Sequence, residues 1–256
     1  MTIESPVKPN AGRIQRSIGW YLRQLSRLMS VLSDEELERL IPHLSERSYR
    51  SRQMIFSAGD PSERVFLILK GRVKLYQVAE NGKEIILDVV GRGGVLGDMA
   101  IVEDGERVMC AQAMEDTVTA SISWEDFAHV LQQSPRLGFA MAELMARRLA
   151  GMQRTFMNLV SKPVSARLAD ILVSRQESGS VRLGLTHQEL AQSIGTSRET
   201  VTALLSRFTA MGAILPEPDG FRIVDEDLLD DIAAGDVLVS PRHPNDHRPQ
   251  PGALAP

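Results

Sequence analysis

The chain has 256 residues, room for two ordinary domains, and its 43% hydrophobic and 24% charged residues place it among folded globular proteins. Its 29 Lys and Arg against 33 Asp and Glu give a net charge of −4, which excludes a uniformly basic nucleic-acid coat but not a local reading surface. Aromatic residues are only 5%, too few for a base-stacking platform. The single cysteine, Cys110, excludes a disulfide framework, a multi-cysteine zinc site and a four-cysteine iron–sulfur cluster.

No run approaches the roughly 18 apolar residues that span a bilayer. The opening MTIESPVKPNAGRIQRSIGW has no apolar signal-peptide core, so the expectation is a cytoplasmic protein without membrane contact. Residues 1–17, broken by Pro6, Pro9 and Gly12, read as a flexible arm. A helical start follows over Ile18–Met29 and Ser33–Ile41, the second with a Ser33/Glu36 capping box.

After Ser48 the period shortens. YRSRQMIFSAGD, RVFLILKGRVKLYQVA and KEIILDVVGRGGVLGDMA are short apolar or alternating runs separated by glycine corners. Asn81-Gly82 reads as a hairpin turn in which both positions tolerate positive φ. The pattern predicts an antiparallel β-roll within a domain spanning 18–133. Ser123 and Asp126 open a short helix, and Pro135 lies in the first turn of a long one, 134–160. Along that helix Gly138, Ala142, Met145, Leu149, Met152, Phe156 and Leu159 recur at alternating spacings of 4 and 3, the seam of a dimerisation helix. The competing reading is an amphipathic helix packed on its own domain.

The most specific signal is THQELAQSIGTSRETVTALLSRFTAMG, residues 186–212. Thr186/Glu189 and Thr196/Glu199 read as two capping boxes on either side of Gly195. Leu190, Ala191 and Ile194 form one buried face, and Val201, Leu204, Leu205 and Phe208 another. Two short helices joined by a glycine turn make a helix-turn-helix. Its second helix presents Ser197, Arg198, Glu199 and Thr202 at the end that enters a major groove, where Arg can grip guanine and Glu can accept from cytosine. Thr196, His187 and Arg207 complete the expected DNA-facing set. The alternative is that Glu199 only caps and Arg198 is a solvated charge. AILPEPDGFRIV then reads as a β-hairpin wing whose turn lacks Lys and Arg. Within 161–225 the charges balance at zero, so nonspecific DNA binding is expected to be weak. The winged module is assigned to 161–236 and a disordered Pro-rich tail to 237–256.

These pieces together, KGRVKLY…NGKE…GRGGVLGDMA followed by a long helix and GTSRETV, resemble the Crp/Fnr family of bacterial transcription regulators over roughly residues 25–225. The resemblance implies an α+β architecture of cyclic-nucleotide-binding-like roll, dimerisation helix and winged helix-turn-helix. It also implies a homodimer on two-fold symmetric double-stranded DNA, a small effector in the roll, and RNA polymerase as partner. It makes Arg198, Glu199 and Thr202 base readers. Ala203 stands where the catabolite-activator type has a second reading arginine, so the half-site is expected to differ.

In the roll the resemblance places an effector cassette at Gly97, Asp98 and Met99, with Arg107 as phosphate ligand, Val108 beside it and Met152 on the long helix. Three polar contacts are weakened: Asp98 is shorter than the family's glutamate, Val108 lacks a hydroxyl, and Met152 replaces a threonine. Tight cyclic AMP binding is therefore not expected. Another anionic metabolite at Arg107, or a regulator without an effector, both stay open. An Arg107 ion pair with Asp98 or Glu106 is the purely structural alternative. Cys110 reads as a strand residue with a packing role. His43 and His129 lack a haem-ligand pattern, so no metal, haem or iron–sulfur cofactor is expected. No nucleophile elbow, phosphate-binding loop or HExxH motif is present, so no enzyme is expected. A ligand-sensing module acting on a protein partner is the remaining alternative.

Overall fold

The computed structural model describes residues 19–98, 105–177, 180–181, 185–218 and 220–241. The expected arm at 1–17, Met99 and the tail from 242 lie outside the described residues. The chain forms two compact units, Met1–Gly151 and Met152–Pro256.

In the first unit the expected opening helix is two helices, α1 (19–25) and α2 (Arg27–Ser30), separated at the buried Ser26. The Leu25 carbonyl oxygen at the break sits where a side chain at Gly93 would be, so the glycine corner of the roll packs directly against it. Gly93 has φ +82°, a second reason for glycine there. Helix α3 (Asp34–Leu40) carries the expected capping box: Ser33 Oγ accepts from Glu36 N–H at 3.2 Å, and Glu36 accepts from Ser33 N–H at 2.7 Å.

Among the described residues eight strands follow: β1 (Ser45–Tyr49), β2 (Met54–Phe56), β3 (Arg64–Lys70), β4 (Val73–Val78), β5 (Glu84–Val90), β6 (Val95–Leu96), β7 (Cys110–Ala113) and β8 (Thr117–Ser123). They form two antiparallel sheets, ordered β1-β8-β3-β6 and β2-β7-β4-β5. Strand β3 explains its own sequence. Val65 and Leu67 join a core with the helices, while Phe66 and Ile68 join the core with Phe56, Val73, Leu75, Val90, Leu96 and Ala111. A strand buried on both faces reads as a continuous apolar run, not as an alternation.

The β4–β5 connection is a hairpin, but of a different type from the one read in the sequence. Ala79 and Lys83 close a three-residue loop, and Gly82 alone takes positive φ, +77°. Asn81 stays outside that region and uses its side chain to accept from Lys83 N–H at 3.1 Å. Helix α4 (Trp124–Gln133) starts at Ser123, whose Oγ accepts from Asp126 N–H at 3.1 Å. Helix α5 (Pro135–Ser161) runs through the boundary between the units. Its first half contributes Leu137 and Met141 to the core of the first unit.

The second unit holds α6 (Val164–Ser174), β9 (Gln176–Glu177), β10 (Ser180–Val181), α7 (His187–Ile194), α8 (Arg198–Ala210), β11 (Ile214–Glu217), β12 (Gly220–Ile223) and α9 (Glu226–Ala234). The wing is larger than the expected hairpin, because β9 and β10 extend it to a sheet ordered β11-β12-β10-β9. Two-residue strands leave no periodicity to read. The acidic run from Asp225 is the start of α9, with Asp225 capping Leu228 N–H at 2.9 Å and Leu229, Ile232 and Ala233 buried. Packing continues into the expected tail, where Val239 is buried.

Candidate nucleic-acid interface and sensor cassette

Helix α7 begins at Thr186, whose Oγ1 accepts from Glu189 N–H at 3.2 Å while the Glu189 carboxylate accepts from Thr186 N–H at 2.7 Å. It ends at Gly195, φ +68°, and Thr196 N–H donates back to the Ala191 carbonyl at 3.0 Å. That bond commits Thr196 to closing α7. The second capping box expected at Thr196/Glu199 is therefore displaced by one residue: Ser197 is the N-cap of α8, its Oγ accepting from Thr200 N–H at 3.2 Å.

With Ser197 as cap, Arg198 and Glu199 open α8 and are exposed, as are Ser197, Thr202 and Ser206. Val201, Leu204, Leu205 and Phe208 are buried on the opposite side, where α8 packs against α7 and β11. The polar face is thus held by a packed one. Hydrogen bonds from its own backbone N–H and from Ser197 hold the Glu199 carboxyl below the usual carboxylate range. At neutral pH it is an acceptor only, the form that accepts a hydrogen bond from a cytosine amine. Thr202 Oγ1 donates to the Arg198 carbonyl at 3.0 Å and lies 2.9 Å from His187 Nδ1, so the first residue of α7 is joined to the exposed face of α8. Ala203 is half-buried. Arg207 is half-buried in the last turn of α8, nine residues beyond Arg198 and about 13 Å along the axis. It does not join the cluster at the N-terminal end.

Among the described residues the wing tip carries no basic cluster. Arg222 on β12 is turned to Glu217 at 3.3 Å. At the elbow between α5 and α6, Lys162 Nζ donates to both oxygens of Asp170 at 3.0 and 2.8 Å and to the Ala233 carbonyl at 2.7 Å. Asn158 adds a bond to Asp170 at 3.1 Å, and Arg167 donates to the Leu159 carbonyl at 3.0 Å. The last turns of α5 are in this way tied to α6 and α9.

The seam residues divide. Met145 is partly buried against the core of the first unit. Leu149, Met152, Phe156 and Leu159 are 58%, 58%, 65% and 42% exposed, and Met157 and Val160 widen the apolar surface. Leu159 also borders the helix-turn-helix, since a side chain at Gly195 would come within 3.3 Å of its Cδ2. Ala142 is exposed and Gly138 half-buried.

In the roll, Gly97 takes φ +72°, and a Cβ there would stand 2.5 Å from the Arg64 carbonyl oxygen and 2.9 Å from Arg107 Nη1. Glycine is required for Arg107 to approach. The Arg107 guanidinium donates to the Gly97 carbonyl at 3.2 Å and the Arg64 carbonyl at 2.5 Å, and lies 4.5 Å from the Phe56 ring centre. It is 4% exposed. Its backbone is bonded to the 57–60 turn through Asp60 and Gly59. Asp98, 2% exposed, pairs with Arg148 of α5, which also donates to the Val95 carbonyl.

Arg148 is the site residue that sequence reading missed. Its signal was a charge continuing the inward spacing Leu137, Met141, Leu144, Arg148. Val108 is 48% exposed, and its carbonyl accepts from Gln77 Nε2 at 3.1 Å. Cys110 begins β7, its sulfur accepting from Ala58 N–H at 3.4 Å. His43 pairs with Asp126 at 3.0 Å and His129 with Gln133 at 2.8 Å.

Comparison with known proteins agrees with both halves. Residues 46–134 match the family model of the cyclic nucleotide-binding domain, and residues 166–232 that of the Crp-like helix-turn-helix domain. A cyclic AMP receptor protein of Thermus thermophilus is 30% identical over 211 residues, 82% of this chain and 98% of its own length. A CRP-like cAMP-activated global transcriptional regulator of Mycobacterium tuberculosis is 28% identical over 183 residues, covering 68% and 82%. Among solved structures, a CooA mutant from Carboxydothermus hydrogenoformans shares the fold with a TM-score of 0.69 at 24% identity, covering 83% of this chain and 99% of its own. No helix among the described residues is long and apolar enough to cross a membrane.

Proposed function

The chain belongs to the Crp/Fnr family of bacterial transcription regulators, and from that membership we propose how its own residues carry out regulation. Arg198, Glu199 and Thr202 read bases in the major groove, Ser197 and Thr196 lie beside the backbone at the helix entrance, and Arg207 and His187 serve phosphates. One observation carries this reading: a single exposed polar face at the start of α8, opposite a face that is wholly buried. The exposed Leu149, Met152, Phe156 and Leu159 support a homodimer joined along α5, which presents two such faces to a two-fold symmetric site. The protein works in the cytoplasm, with RNA polymerase as its partner at the promoter and no catalytic role of its own.

For the roll we favour a sensor that is not a tight cyclic AMP receptor. Arg107 is buried and bonded to two carbonyls, Asp98 is taken by Arg148, and Val108 offers no hydroxyl. A ligand must displace these bonds to gain its own. The retained arginine beside Gly97 supports an anionic effector as the second reading.

The test is selection of bound duplexes from a random pool by the purified protein, with and without cyclic nucleotides. A two-fold symmetric site lost on Arg198→Ala supports the assignment. Selection without symmetry, or unchanged by that substitution, overturns it. Enrichment appearing only with cyclic AMP at low micromolar concentration overturns the reading of the roll.

A further inference from the structure

We infer that His187 is a proton-linked DNA contact, a donor to phosphate only when its ring is charged. The inference rests on the reading of α8 as the DNA-facing helix and goes beyond it. It starts from a hydrogen-bond chain. Thr202 Oγ1 has one proton and gives it to the Arg198 carbonyl at 3.0 Å. In the Nδ1–H tautomer, which lets Thr202 keep that bond, the 2.9 Å contact between Thr202 Oγ1 and His187 Nδ1 is donated by the histidine. In the neutral ring this places the proton on Nδ1 and leaves Nε2 with a lone pair.

A phosphate oxygen is also an acceptor. Nε2 therefore meets DNA lone pair to lone pair unless the ring takes up a proton and becomes a double donor. His187 is the first residue of α7, so phosphate there would also meet the unbonded N–H groups of a helix start. DNA binding and protonation of His187 then favour each other.

The charged groups around the ring do not supply a competing switch. From α8 these are Arg198 and Glu199, both exposed in its first turn. On α7 itself Glu189 is held by Thr186 N–H at 2.7 Å and Thr186 Oγ1 at 2.9 Å. From α6, Asp170 is engaged by Lys162 and Arg167 by the Leu159 carbonyl.

The experiment measures the affinity of the full-length protein for its selected duplex by fluorescence anisotropy, at fixed salt, from pH 8 to pH 6. Wild type is compared with His187→Gln, His187→Arg and Thr202→Val. Affinity of the wild type is expected to rise roughly tenfold or more as pH falls, with up to two protons taken up per dimer. His187→Gln should flatten the profile. His187→Arg should also flatten it while keeping affinity high at pH 8, because the charge is permanent. In Thr202→Val the neutral ring is free to carry its proton on Nε2, so the slope should shrink whatever happens to affinity itself. The dependence of log affinity on log salt should be steeper at pH 6 than at pH 8 by about 0.9 for each phosphate gained. Parallel profiles for wild type and His187→Gln would overturn the inference while leaving the reading helix intact. Absence of selective binding by wild type at every pH would instead overturn the assignment of α8, and this inference with it.

Discussion

The sensor cassette and the reading helix both carry an arginine and a carboxylate, and they hold them in opposite ways. In the cassette Arg107 and Asp98 are buried and spent on internal partners, the Gly97 and Arg64 carbonyls and Arg148. At the start of α8, Arg198 and Glu199 stand in solvent on a helix whose other face is packed. The same chemistry serves structure where it is satisfied internally and, in the proposed reading, recognition where it is left to an outside partner. The two regions should therefore answer substitution in opposite currencies, stability in the first and affinity in the second.

The largest effect is expected at Arg148. Arg148→Met leaves Asp98 as a buried carboxylate without its cation, which costs about 3–5 kcal/mol when one member of a buried pair is removed. Denaturant unfolding followed by Trp fluorescence should report the loss in the first unit, with α8 untouched. An unchanged midpoint would mean that the pair is not what closes the cassette, and the contrast between the regions would fall. Gly97→Ala attacks the same closure from the backbone. Positive φ in a non-glycine residue costs on the order of 1–3 kcal/mol, and the new methyl meets the Arg64 carbonyl at 2.5 Å.

Arg198→Ala should show the reverse. Its stability change should stay within about 0.5 kcal/mol, as for other exposed positions. Affinity for the selected duplex should fall by about 1–3 kcal/mol per half-site if the guanidinium grips a guanine. Base preference at that position should relax. A uniform loss across all sequences would reassign Arg198 to phosphate.

How much of this was legible beforehand differs between the same two regions. The helix-turn-helix could be read because its signals are local: a cap, an apolar face, a glycine and a second cap within 27 residues. Even there the second cap was misplaced by one, because the choice between Thr196 and Ser197 depends on the bond from Thr196 N–H to Ala191, which closes the previous helix. The cassette could be located by Gly97 and Arg107 but its state could not, since the partner of Asp98 lies 50 residues away on α5. The wing strands Gln176–Glu177 and Ser180–Val181 are too short to show a sequence pattern, and their place is fixed by pairing, β10 on β12 and β9 on β10. The opening helix read as continuous because nothing in its own sequence announces that Gly93 will press on the Leu25 carbonyl.

The cap assignment can be checked directly. Ser197→Ala should destabilise the second unit by about 1 kcal/mol, the usual cost of losing an N-cap oxygen. Thr196→Ala should cost less, since the bond that Thr196 contributes is made by its backbone. Thermal unfolding of the two variants side by side decides between the cap seen in the structure and the one read from the sequence. The reverse order would restore the Thr196/Glu199 box.

The smallest effect separates the halves of α5. Gly151 ends the first compact unit, in the interior of a 27-residue helix, and nothing lies within 4 Å of the position its Cβ would take. Glycine there costs the helix roughly 0.5–1 kcal/mol relative to alanine, and no close packing asks for it. Gly151→Ala should therefore raise helical stability by about that amount without a clash, visible as a small upward shift in the thermal midpoint by far-UV circular dichroism. The more informative readout is the DNA affinity of the same variant. If the helix only links two bodies, stiffening it leaves affinity where it was. If bending at residue 151 belongs to the step that aligns the two reading helices, affinity moves although Gly151→Ala touches neither the cassette nor α8. The contrast between a closed sensor and an open reader would then have its connection at this glycine.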